Sequence, residues 1–437
     1  MTERTGKSSA LDLYRLSVTA GQEYQMRDLS IYIHIPFCVR KCLYCDFLSF
    51  AVPEAEIDGR AGKGGQKKGK TIESYVNLLE QEIITAAEHY REHQVISVFW
   101  GGGTPSLLPG ETVCGLMEVL RKQYHILSGA EITIETNPGT VTADKLAAYR
   151  EAGINRLSIG LQSTEDEELA RIGRIHDYRT FQETYRMARA AGFSNINIDL
   201  MAALPGQSVA SYGETLRRTA ALAPEHISAY SLILEEGTPL CERQEQYEFP
   251  TEEEDREMYL LTDSCLSAYG YHRYEISNYA KAGYECRHNK VYWQRGDYVG
   301  FGLGAASMVD NVRWSNPAEP EGYRQYAAGL RMEEMAEDAF PGIDGDGGEK
   351  GPFLAPERQV LTVGEQMEEF MFLGLRMMRG VSRQEFARLY GKPIEEVYGG
   401  VLKGLYRQEL LVCEADRIRL TARGIDVSNY VMAQFLQ

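Results

Sequence analysis

Cys38, Cys42 and Cys45 fall within eight positions of "IYIHIPFCVRKCLYCDFLSF", a Cys-x3-Cys-x2-Cys run directly behind an apolar stretch. Thiolates are soft ligands, and three on one loop can take three corners of a cubane [4Fe–4S] cluster. The fourth iron then keeps an open coordination site, as a catalytic zinc does. Two other readings of the same residues stand beside this one. A zinc ion completed by a distant histidine would use the thiolates, but zinc sites bring their ligands in two pairs and no second Cys/His pair is present. A redox pair at Cys42 and Cys45 would leave Cys38 without a purpose. The remaining cysteines, Cys114, Cys241, Cys265, Cys286 and Cys413, are scattered and read mostly as small buried hydrophobes. No side chain is nominated as a catalytic acid, base or nucleophile.

A loop can hold such ligands only if stiff elements carry it. "IYIHI" reads as a strand, and "VISVFW", "AEITIETNP", "RLSIGLQS", "NINIDLMAALPGQ" and "HISAYSLILEEGTPL" repeat the pattern. A helical segment follows each of them, giving six strand–helix rounds from about Leu29 to Tyr269. Strands alternating with helices pair in parallel through right-handed crossovers. Six rounds predict an α/β fold with a partial (β/α)6 barrel, whose C-terminal rim collects the chemistry. The Gly-rich, polar and charged signals all fall just after strands, on that rim.

The expected organisation is an N-terminal extension over 1–28, the barrel over 29–270, a connecting region over 271–338, a linker over 339–356 and a second domain over 357–437. Within the barrel, "EIDGRAGKGGQKKGK" (56–70) is rich in Gly and Lys without apolar period and reads as a flexible insertion. In the last segment, three helices and the hairpin "LVCEADRIRLT" predict a small α+β domain of winged-helix type. It lacks a strongly basic recognition helix, so a structural use is expected rather than DNA binding.

Composition excludes whole classes of function. The 437 residues carry a formal net charge of −17, which argues against a broad nucleic-acid or anionic-membrane footprint. No run approaches the roughly 18 apolar residues of a membrane span, and the N-terminus lacks the apolar core of a secretory signal. A cytoplasmic protein with reduced thiols and no integral membrane segment is expected.

"CVRKCLYC" after a first strand resembles the radical S-adenosylmethionine (SAM) superfamily. The neighbouring segments are similar to its coproporphyrinogen-dehydrogenase-like branch, from about Leu29 to the C-terminus apart from 56–70. The resemblance implies a [4Fe–4S] cluster on the three cysteines, with SAM chelating the open iron through its amino and carboxylate groups. An electron from the cluster would break the sulfonium bond, giving methionine and a 5′-deoxyadenosyl radical. It implies an electron donor as well. "WGGGTPS" places Gly101, Gly102 and Gly103 where absent side chains let backbone approach the methionine moiety. Tyr32 and Tyr44 are implied contacts of cluster or cofactor. Glu135 in "TIETNP" suits an amino group or ribose hydroxyls. Gln162, Arg174 and Asp199 match further SAM-contacting positions, and Ile233 would pack on the adenine.

The dehydrogenases of that branch continue to a fourth cysteine, where this chain has Phe47. In this the chain resembles the branch's haem chaperones, which share the fold and are not thought to perform the oxidase reaction; neutral drift at that position is the other reading. "HNKVYW" matches their His-Asn-x-x-Tyr-Trp motif, and with it His288, Asn289, Tyr292 and Trp293 become candidate haem-binding residues. His288 offers an imidazole for haem iron, and Tyr292 and Trp293 offer flat surface. Cys286 is an alternative thiolate, and a hydrogen-bonded structural histidine is the plainer reading of His288. Gly300, Gly302 and Gly304 would let backbone lie close to a planar ligand. The resemblance implies a haem chaperone that passes haem to a recipient protein, with an oxygen-independent coproporphyrinogen III dehydrogenase as the alternative. Whether it is an enzyme at all stays open at this point.

Overall fold

The apolar run ahead of the cysteines forms the inner part of strand β1 (Arg27–Ile35), with Leu29, Ile31, Ile33 and Ile35 fully buried. A strand covered on both faces loses the polar alternation of a half-exposed one. Its polar residues must then find partners inside, and Ser30 does so with Ser97 at 2.7 Å. The computed structural model describes residues 26–52, 71–333 and 357–436. Most of the expected N-terminal extension (through residue 25), the 56–70 insertion and the whole of the 339–356 linker lie outside the described residues.

Five more strands follow: β2 (His93–Gly102), β3 (His125–Thr136), β4 (Arg156–Gln162), β5 (Ile196–Ala202) and β6 (His226–Ser231). Neighbours in this series pair in parallel, in sequence order. The crossover helices are α1 (Thr71–Ala86), α2 (Gly110–Gln123), α3 (Ala143–Glu151), α4 (Tyr178–Ala190) and α5 (Val209–Ala221), and α6 (Glu252–Ala268) follows β6. The six expected rounds are present as a partial (β/α)6 barrel. Local signals start several helices: Thr142, Asp177 and Ser208 cap α3, α4 and α5 by accepting from the backbone N–H three residues on.

The region after α6 does more than connect. It supplies β7 (His272–Arg273), β8 (Asn278–Ala280), α7 (Arg287–Trp293), β9 (Tyr298–Phe301), β10 (Ala306–Val309) and β11 (Val312–Ser315). With β12 (Gln359–Val360) these complete a twelve-stranded sheet in the order β12-β11-β10-β9-β1-β2-β3-β4-β5-β6-β8-β7. Strand β9 runs parallel to β1, and the other additions are antiparallel. Gly300, Gly302 and Gly304 are required by this packing. A Cβ on Gly302 would lie 2.5 Å from the Tyr75 hydroxyl and 2.7 Å from the His34 carbonyl, one on Gly300 would strike the Ala306 carbonyl, and one on Gly304 would meet Leu48.

The C-terminal unit has the three expected helices, Val363–Gly374, Arg383–Tyr390 and Ile394–Arg407. Its sheet has the order β13 (Val381–Ser382), β15 (Arg417–Leu420), β14 (Leu411–Glu414). Phe386, Tyr398, Leu402, Ile418 and Phe435 centre its own core. Among the described residues no helix is long and apolar enough to cross a membrane.

Candidate cofactor site

The cysteine loop is pinned where the barrel strands end. Leu43 donates its N–H to the Ile172 carbonyl at 3.0 Å and accepts from the Leu240 N–H at 2.9 Å. Arg40 donates to the Gly173 carbonyl at 2.9 Å. The three cysteines thereby face one cavity of about 370 Å³. Among the described residues no three His, Cys, Asp or Glu side chains close tightly enough for a single metal ion. Burial, with repulsion from Cys42 and Cys38 added, pushes the Cys45 thiol up to about 11.

Two polar side chains brace the sulfurs. The Thr104 hydroxyl lies 3.5 Å from Cys38 Sγ, and Arg174 Nη1 lies 3.5 Å from Cys42 Sγ. Arg174 also donates through Nη2 to Asn137 Oδ1 and the Gly160 carbonyl, both at 2.7 Å. Asn137 in turn donates to Thr104 Oγ1 at 2.8 Å. Asn137 follows Glu135 by two residues and Thr104 follows the glycines, so both lay beside motifs that pointed at the rim; sequence reasoning passed over them.

The same cavity brings together Tyr44, Gly102, Gly103, Glu135, Gln162, Arg174, Asp199 and Ile233. Parallel register explains the gathering: Glu135 pairs with Ser158, Gly160 with Asp199, and Asp199 with Ser228. Gly102 has φ +108°, and a Cβ there would lie 2.5 Å from the His34 ring; one on Gly103 would lie 2.7 Å from the Phe37 carbonyl. These glycines are thus required by the chain's own packing before any ligand is considered. Gln162 adopts φ 73°, a left-handed conformation that turns the end of β4. Phe47 and Ile233 stand at the mouth, 63% and 68% exposed. Tyr32 does not line this cavity. It stacks on Phe99 behind it, in a smaller chamber.

Glu135 and Asp199 stand half-buried in the cavity wall. Burial, with the Asp199 charge adding to it, pushes the Glu135 carboxyl up to about 8. Burial also raises Asp199, against donors that include Ser158 at 3.0 Å and Asn197 at 2.8 Å. At neutral pH Glu135 is largely protonated and can donate as well as accept.

The His-Asn-x-x-Tyr-Trp segment is α7, and it sits against the middle of β2 and β3 rather than on the rim. Glu131 holds its first turn, accepting from the N–H groups of Arg287 and His288, both at 3.1 Å. The His288 ring is 1% exposed; Nδ1 bonds Ser97 at 2.9 Å and Nε2 bonds Tyr292 Oη at 2.9 Å. It stacks on Phe99 with centroids 5.0 Å apart. Burial, with the Arg156 charge adding, pulls it down to about 3, so it is neutral. Both ring nitrogens of this candidate iron ligand are thus engaged by neighbouring side chains, the arrangement of a hydrogen-bonded histidine. Cys286 is fully buried against Glu131 and is no better placed. Trp293 faces the C-terminal unit, where Arg376 lies 4.3 Å above its ring.

Comparison with known proteins places these features in a family. Residues 32–219 match the model of the radical SAM superfamily, and 361–427 match the HemN C-terminal domain. The chain is 35% identical to the haem chaperone HemW of Bacillus subtilis, covering 93% of this chain and 99% of that protein. It is 34% identical to the HemW of Escherichia coli, covering 93% and 98%. The coproporphyrinogen III oxidase HemN of Escherichia coli superposes with a TM-score of 0.75 at 23% identity, covering 98% of this chain and 93% of that one, a likeness of fold.

Proposed function

The chain belongs to the haem chaperone HemW family of the radical SAM superfamily, and from that premise we propose that it binds haem and delivers it to a recipient protein. A SAM-binding [4Fe–4S] cluster, seated on Cys38, Cys42 and Cys45, accompanies that task. The observation that carries the reading is similarity along nearly the whole length of two curated haem chaperones, against a fold-level likeness to the oxidase. Phe47, at the position where the oxidases continue to a fourth cysteine, supports it. The chaperone works in the cytoplasm, and an electron donor serves its cluster.

When bound, the cluster supplies an electron and SAM supplies the sulfonium bond that such an electron can cleave. The chain's own contribution is positioning. Thr104 and Arg174 donate toward the sulfurs of Cys38 and Cys42 and so fix where two of the ligands stand. Gly102 and Gly103 keep the strand end open, Tyr44 packs against the apolar cluster of Ile172, Met201 and Leu204, and Ile233 offers flat cover at the mouth. Glu135, Gln162 and Asp199 present hydrogen-bonding groups into the cavity. Tyr32 supports the glycine end from behind: a Cβ on Gly101 would lie 3.0 Å from its ring.

Anaerobic haem titration tests the proposal, followed by transfer to an apo haem protein. Saturable absorbance changes and loss of haem to the acceptor are expected. Conversion of coproporphyrinogen III to protoporphyrinogen with reductant and SAM would instead establish the dehydrogenase reading.

A further inference from the structure

Behind the cofactor cavity lies a second chamber of about 190 Å³ whose walls include His288, Asn289, Tyr292 and the β4 residue Arg156. The two spaces share Glu135, Ser158, Asp199 and Tyr230 as common walls. Arg156 is the anomaly. It is 2% exposed, and its Nε has no hydrogen-bond partner. Among the described residues its other guanidinium nitrogens make no hydrogen bond or ion pair either. A buried guanidinium left without acceptors is costly, because it has lost water without replacement. Asn289, half-buried on the same chamber, also has a free side-chain amide.

The charges around it leave room for an anion. Glu131, whose field reaches Arg156, is already held by the first turn of α7. Burial raises Glu135 to about 8, and Asp199, whose charge also reaches Arg156, is already engaged by Ser158 and Asn197. His288 and His226 face the region as neutral rings, both lowered by burial. What remains is a positive fork beside amide and hydroxyl donors, in a space below the roughly 300 Å³ at which pockets for whole drug-sized ligands begin. A haem macrocycle does not fit there. One of its carboxylate arms does.

We propose that Arg156 and Asn289 bind a carboxylate in this chamber and that, on the haem-chaperone reading above, the carboxylate is a haem propionate. The His-Asn-x-x-Tyr motif then recognises the edge of haem, not its iron, and His288 is a positioning residue. It fixes Tyr292 through Nε2 and packs on Phe99.

Binding of haem and of haem dimethyl ester to the full-length chain tests this, in wild type and in Asn289→Ala, Arg156→Met and Arg156→Lys. Wild type binds haem at least about tenfold more tightly than the ester, as expected for a charge-assisted pair. Asn289→Ala and Arg156→Met abolish most of that preference by weakening haem binding alone, and Arg156→Lys restores part of it. The Soret position of bound haem is unchanged throughout, and SAM affinity stays at the wild-type value. Equal binding of acid and ester by wild type overturns the proposal, as does a preference that survives Asn289→Ala and Arg156→Met. Lost SAM affinity with an intact preference assigns the carboxylate to SAM and also overturns it. No saturable haem binding by wild type removes the haem-chaperone reading itself, an outcome distinct from the others. Asn289 is half-buried, so its variant keeps the test decisive should the Arg156 variants fail to fold.

Discussion

Glu135 shows how one residue can be legible in type and illegible in state. Its place in "TIETNP" marked a strand-end carboxylate, but nothing local told that burial would push it up to about 8. The folded chain holds the proton more tightly than the unfolded chain, where the carboxyl titrates near about 4.3. Stability from this group is fully present below that value and declines as pH rises through about 8. Glu135→Gln is therefore expected to flatten the loss of stability between pH 5 and pH 8, by on the order of a few kcal/mol, in urea unfolding of the protein without added cofactor. An unaltered pH slope would contradict the assigned burial. His288 is the opposite case. Its motif was plain in the sequence, yet two of its bonding partners, Ser97 and Glu131, lie more than 150 residues away, and no local pattern encodes them.

At the level of elements, the six barrel rounds were readable because buried parallel strands are near-continuous apolar runs punctuated by Gly and polar residues. The additional strands β7 to β12 are two to four residues long, too short to carry a period of their own. Tertiary contacts make them, and Glu82 of α1 is one of the residues responsible. It is 2% exposed and accepts from the Gly302 N–H at 2.9 Å, Asn316 Nδ2 at 2.6 Å and the Tyr323 hydroxyl at 2.7 Å. One carboxylate thus ties α1 to the segment after β9, to the end of β11 and to the helix Pro320–Glu333. Glu82→Ala leaves the Gly302 N–H and the Tyr323 hydroxyl unpaired and Asn316 Nδ2 with the Gly302 carbonyl alone, and is expected to cost about 3 kcal/mol or more. Chemical denaturation measures this, and a loss under about 1 kcal/mol would show that the network is not holding the added strands.

For the whole molecule, the question is how the C-terminal unit is tied to the barrel. Its core is separate, but its attachment is polar and buried. Arg295, just past α7, donates to Glu369 at 2.9 Å with both side chains under 10% exposed, and Arg313 reaches the same carboxylate at 2.8 Å. Met378 donates its N–H to the Tyr274 carbonyl at 2.9 Å, and Glu275 forms an isolated bridge with Met377. Removing Arg295 leaves Glu369 paired with Arg313 alone, so Arg295→Ala is expected to cost about 1.5–3 kcal/mol, the size of a lost hydrogen bond to a charged group. Differential scanning calorimetry of that variant should show the C-terminal unit melting ahead of the barrel. A single transition at the wild-type temperature would contradict the coupling.

Everything about the cofactor cavity depends on three thiolates sharing one cluster with an open iron. The direct measurement is electron paramagnetic resonance of anaerobically reconstituted, reduced protein, with and without SAM, alongside iron and sulfide analysis of the wild type and of Cys42→Ser. About four irons per chain and a spectrum that changes when SAM is added are predicted, with both lost in the variant. Zinc in place of iron, or a cluster signal indifferent to SAM, would contradict the assignment.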